Sequence, residues 1–110
     1  MREVYFHPKA LLVIKKLSPD LRKALAKAIL ELQRGVNLRM PLSRPMPSIA
    51  RGVYELRFKN KEGLYRVFYY TKLRESLLVF HAFQKKTQKT PKKEIRTALK
   101  RLKDVLDEIS

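Results

Sequence analysis

Between Gly52 and Phe83 the chain alternates polar and apolar residues at period two, while the segments on either side repeat at helical spacing. This double change of period is the strongest constraint on the fold. Tyr54, Leu56 and Phe58 fall on one face of a first strand, with Val53, Glu55, Arg57 and Lys59 on the other. Asn60 to Gly63 makes a hairpin turn into a second strand, Leu64 to Thr71. The polar connection Lys72 to Ser76 leads to a third, Leu77 to Phe83. Connections this short require an antiparallel meander.

The flanks are helical. Val4-Tyr5-Phe6 reads as a short strand, after which His7-Pro8 starts a helix with proline at its favoured first position. Ser18-Pro19-Asp20 caps a second helix that runs to Gly35, with Leu21, Leu25, Ala28, Ile29 and Leu32 on one face, so the two form a helical hairpin. Pro41, Pro45 and Pro47 break both periodicities, so residues 36–50 read as a loop. Thr90-Pro91 caps a last helix whose stripe is Ile95, Ala98, Leu99, Leu102, Val105, Leu106 and Ile109. The expected architecture is α+β: an N-terminal strand and helical hairpin, an antiparallel sheet of three to four strands, and a C-terminal helix. The helices are expected on one face of the sheet, leaving part of the other face open as a platform.

The 110 residues match the size of one domain, 1–110. With no cysteine and two isolated histidines, a disulfide framework and a structural metal site have no support, and no cofactor is expected. The early apolar run Ala10 to Ile14 is too short for a signal-peptide core or a membrane span, which places the chain in the cytoplasm. Twenty-six Lys and Arg against ten acidic residues give a formal charge of +16. Charge of that size opposes compaction and suits a polyanion, with a phosphate backbone foremost and an acidic protein or anionic membrane behind it. No basic amphipathic segment with separate apolar anchors stands out, which demotes the membrane.

The candidate site lies on the strands. Glu55 and Arg57 share a face, and Arg66 stands across the hairpin, alternating with Phe68 and Tyr70. Cations inside aromatic strands are costly to bury, so they are expected on the open face, where arginine grips phosphate and Phe68 and Tyr70 stack on bases. Glu55 and Arg57 read equally well as solvated strand residues. The third strand ends in Gln84-Lys85-Lys86-Thr87-Gln88-Lys89-Thr90-Pro91, and Lys85, Lys89, Lys92 and Lys93 extend a basic RNA-binding surface. Lys92 and Lys93 occupy the unfavourable end of the helix dipole unless an anion binds there; the plain alternative is that their stems swing into solvent. His81 is the histidine placed to move a proton at neutral pH, although a histidine within a strand is more often a structural hydrogen-bonder. No glycine-rich phosphate loop, metal-spaced carboxylates or nucleophile motif is present.

Gly52-Val53-Tyr54-Glu55-Leu56-Arg57, Tyr65-Arg66-Val67-Phe68-Tyr69 and the run Val79 to Pro91 together resemble the HigB-type toxins of the RelE/ParE superfamily, in its phage-derived branch. The resemblance covers nearly the whole chain in element order. It implies the toxin of a type II toxin–antitoxin pair, a ribosome-dependent mRNA endoribonuclease silenced by a helix-turn-helix, HigA-like antitoxin. It also puts Arg57, Arg66 and Lys86 at the family's basic catalytic positions, with Lys85 beside the last. Attack by the RNA 2′-hydroxyl needs no metal: Arg66 and Lys86 would stabilise charge, Arg57 would position phosphate, and His81 or Glu55 would serve as general base. The His-Asp-Tyr-His tail of part of the HigB group is absent. A ParE-like inhibitor of DNA gyrase and a plain RNA-binding module are the competing functions; the basic trio favours the nuclease.

Overall fold

A computed structural model describes residues 1–86 and 89–109. The elements are β1 (Glu3–Phe6), α1 (Pro8–Lys15), α2 (Pro19–Gln33), β2 (Ser43–Pro45), β3 (Val53–Asn60), β4 (Gly63–Tyr70), β5 (Ser76–Lys85) and α3 (Lys92–Ile109). Both helix starts follow the local chemistry. His7 accepts the Lys9 amide on Nδ1 and Ser18 accepts the Leu21 amide on Oγ, with Pro8 and Pro19 at the first helical positions.

Among the described residues the strands form one five-stranded sheet in the order β1-β5-β4-β3-β2. The meander β3-β4-β5 is antiparallel as expected, and β1 adds to it parallel to β5. The expected three to four strands become five because residues 36–50 are not simply a loop. Ser43–Pro45 pairs with Tyr54–Leu56 as an edge strand. Three residues are too few to show a period, and Pro45 is tolerated there because an edge strand need not donate on its outer side.

The helices divide between the two faces, correcting the one-sided arrangement. On one face α1 and α2 bury Ile14, Leu25, Ala28, Ile29 and Leu32 against Leu56, Val67, Tyr69, Leu77, Val79 and Ala82. On the other, α3 lays Ala98 and Leu102 on Val53, Phe68, Leu78, Phe80 and Phe83. A β-bulge makes this second core. Phe68 pairs with His81 but Tyr69 pairs with Val79, so Phe80 is an extra residue and joins His81 on the α3 face. Phe68 is consequently 0% exposed and Tyr70 packs against the same core, so neither forms the expected base-stacking platform.

Candidate active site

Beyond the N-terminal end of α3, the same sheet face carries charge instead of aromatic rings. The register sets Arg44 opposite Glu55 and Arg57 opposite Arg66, and places Lys85 on the same face, opposite Leu64. Glu55, 0% exposed, is the hub. Its Oε1 lies 3.3 Å from Arg44 Nη2, 3.6 Å from Arg66 Nε and 3.9 Å from Arg57 Nε, while Thr90 Oγ1 donates to Oε2 at 2.8 Å. Arg66 is almost as enclosed, with 3% of its side chain exposed, whereas Arg57 at 22% and Arg44 at 41% open the cluster to solvent. Burial lowers the pKa of Arg66 and of Lys85, and for Lys85 the nearby Arg66, Arg57 and Arg44 act in the same direction against Glu55.

Among the described residues three arginines thus surround one carboxylate, and Lys85 lies within range of its charge. The ion pairs are close without being well-formed hydrogen bonds: among the described residues the buried Nε groups of Arg44, Arg57 and Arg66 have no acceptor, and Glu55 Oε1 has no donor. An orphaned buried donor costs about 1–3 kcal/mol. A single carboxylate cannot meet so many diverging donors, whereas a phosphate with several oxygens can. An open groove of about 470 Å³ reaches this point, lined by Arg44, Pro45, Met46, Lys89, Thr90 and Ile95.

Of the residues singled out in the sequence, Glu55, Arg57, Arg66 and Lys85 come together. Lys86, one residue further, is exposed beyond the end of β5, as are Lys89, Lys92 and Lys93 around the N-terminal end of α3. Thr87 and Gln88 lie outside the described residues. Two participants escaped the sequence reading. Arg44 was hidden in the proline-rich stretch, and Thr90, read as a helix cap, turns its hydroxyl onto Glu55; the sole available hint was a polar residue ahead of Pro91.

His81 stands next in the row, with Phe68 between it and Glu55. It is buried, and its ring lies 5.7 Å from Phe68 and 5.1 Å from Phe83. Arg101 Nη1 sits 2.7 Å from Nδ1 and Glu94 Oε1 sits 2.8 Å from Nε2. Because arginine only donates, Nδ1 accepts and Nε2–H donates to Glu94, so the ring is the neutral tautomer pinning α3 to β5. Burial, reinforced by Arg101, depresses its pKa despite Glu94, and burial together with Arg101 and Lys9 does the same to His7. The unfolded chain therefore takes up these protons first as pH falls. Stability is fully present above the unfolded histidine pKa of about 6.5 and is lost progressively below it, down to the folded pKa. The urea midpoint should drop between about pH 7.5 and 5.5, and the drop should shrink in His81→Gln.

No group of histidines, cysteines or carboxylates among the described residues could hold a metal ion. No helix among them is long and apolar enough to cross a membrane.

The elements define a small α+β protein, a five-stranded sheet with helices on both faces and a cationic end. It resembles a chain of the intact E. coli RelBE toxin–antitoxin complex, with a TM-score of 0.57, 19% identity, and coverage of 79% of this chain and 100% of that one. It also resembles the isolated E. coli RelE toxin, with a TM-score of 0.55, 21% identity, and coverage of 93% and 99%. At those identities the likeness is one of fold. Curated protein sequences give no significant match. Residues 13–103 match the family described as phage derived protein Gp49-like (DUF891), and the chain belongs to that family.

Proposed function

We propose that this protein is the toxin of a type II toxin–antitoxin pair, of the HigB type. It acts in the cytoplasm as an endoribonuclease that cuts mRNA on the ribosome. The observation that carries this reading is the convergence of Arg44, Arg57 and Arg66 on Glu55 beside Lys85, with three buried guanidinium donors that have no acceptor among the described residues. A scissile phosphate entering beside Glu55 meets those donors, and the extra negative charge of the transition state is stabilised where water is scarce. Arg66 and Arg57 hold the phosphate, and Arg44 guards the groove by which the strand arrives. Lys86, Lys89, Lys92 and Lys93 grip flanking phosphates. Glu55 serves as the buried counter-charge that gathers the cations, and His81 holds α3 in place. The RelBE complex supports a cognate antitoxin as partner, here a helix-turn-helix protein of HigA type with an acidic segment to match the +16 charge.

Induced from a tight promoter, the chain should arrest growth and produce new mRNA ends on translating ribosomes within minutes. Co-expression of a small helix-turn-helix protein from the neighbouring reading frame should relieve both. Arrest with intact mRNA and inhibited DNA gyrase would replace this reading by the ParE-like one. Salt-sensitive RNA binding without cleavage or arrest would reduce the protein to a binding module.

A further inference from the structure

Cleavage through the 2′-hydroxyl requires a group that accepts the hydroxyl proton, and identifying it rests on the ribonuclease reading above. Two candidates are committed elsewhere. Both ring nitrogens of His81 are engaged, by Glu94 and Arg101, with Phe68 between the imidazole and the cluster. Glu55 is 0% exposed, with Oε2 held by Thr90 and Oε1 enclosed by three arginines.

Lys85 stands at the edge of the same cluster. It is the last residue of β5, on the face of Arg66 and Glu55, and it is buried although its neighbours Gln84 and Lys86 are exposed. We propose that Lys85 is the proton acceptor of the cluster, taking the 2′-hydroxyl proton on Nζ. The 2′-O–H bond breaks as its proton passes to the amine lone pair. The freed oxygen bonds to the adjacent phosphorus and the P–O5′ bond breaks. The departing 5′-oxygen then takes a proton back from the Lys85 ammonium. A 2′,3′-cyclic phosphate and a 5′-hydroxyl result, with no net proton change and no co-reactant.

The surroundings supply the neutral amine this step needs. The charges that act on Lys85 come from Arg44 on β2, Glu55 and Arg57 on β3, and Arg66 on β4. Burial and the three guanidiniums disfavour its ammonium form more than Glu55 favours it, so an amine lone pair exists at lower pH than on a solvated lysine. Arginine at the same place would keep the charge but never offer a lone pair.

Single-turnover cleavage of a reporter mRNA on programmed ribosomes tests the assignment. Lys85→Arg should keep KM within about threefold while kcat falls by about 10²-fold or more. Lys85→Cys should be inactive, and alkylation with bromoethylamine in denaturant, followed by refolding, should restore activity. The alkylated sulfur is unique because the chain has no other cysteine. The thioether amine is less basic than lysine, so the acid limb of the rate profile should move to lower pH. If Lys85→Arg cleaves within about tenfold of the parent, or the acid limb of the alkylated protein stays in place, Lys85 acts by charge alone and the proposal fails. If the parent itself leaves the mRNA whole, the ribonuclease reading has failed and this assignment falls with it.

Discussion

Arg66→Ala should abolish mRNA cleavage, lowering kcat by about 10²–10³-fold, the usual cost of losing one aligned donor to a developing oxyanion. Arg66 sits mid-strand on β4, between Arg57 and Phe83, with 3% of its side chain exposed. Its Nη1 donates to the Tyr65 carbonyl, and its Nε–H has no acceptor among the described residues. The substitution also removes one cation from a cluster that holds several around one carboxylate, so like-charge repulsion is relieved. The melting temperature should therefore stay level or rise while activity disappears. Arg66→Lys, which keeps the charge but loses the planar fork, should recover only part of the rate. A large fall in melting temperature with activity merely proportional to the folded fraction would make Arg66 a structural residue instead.

Glu55→Ala should have the largest effect on stability, costing about 3–5 kcal/mol, the range for removing one partner from a buried ionic group. Arg44, Arg57, Arg66 and Lys85 would then face one another without a counter-charge, and Thr90 would lose its acceptor. The remedy follows from the same electrostatics. Adding Arg66→Met to Glu55→Ala should return much of the lost stability, because the pair removes charge of both signs and fills the space with apolar atoms. Urea unfolding of the parent, both single variants and the double variant measures the coupling. Additive single effects would show that Glu55 does not balance Arg66. High salt or added phosphate should lessen the Glu55→Ala deficit, since an anion can enter the vacated position.

Much of the site was legible because period-two alternation assigns residues to faces without a structure. Glu55 and Arg57 had to share a face, and a short hairpin had to bring Arg66 to its neighbour strand. The helix starts at His7-Pro8 and Ser18-Pro19 were equally readable, since capping is decided within one turn of chain. Arg44 was not legible, because β2 is a strand only by virtue of pairing with β3 and has no pattern of its own. The difference between Lys85 and Lys86 was hidden for a related reason: adjacent residues on a strand point to opposite faces, and the bulge at Phe80 shifts β5 out of simple alternation.

By itself, then, the sequence determined every element except β2, the antiparallel meander and the presence of cations within its strands, all consequences of local periodicity and turn chemistry. Only the tertiary structure decided that α3 crosses to the second face, burying Phe68 and engaging His81, that Arg44 and Thr90 converge on Glu55, and that Lys85 is buried beside them. Those outcomes depend on contacts between residues far apart in the chain, where the energy of burying apolar surface and of balancing buried charge overrides any local preference.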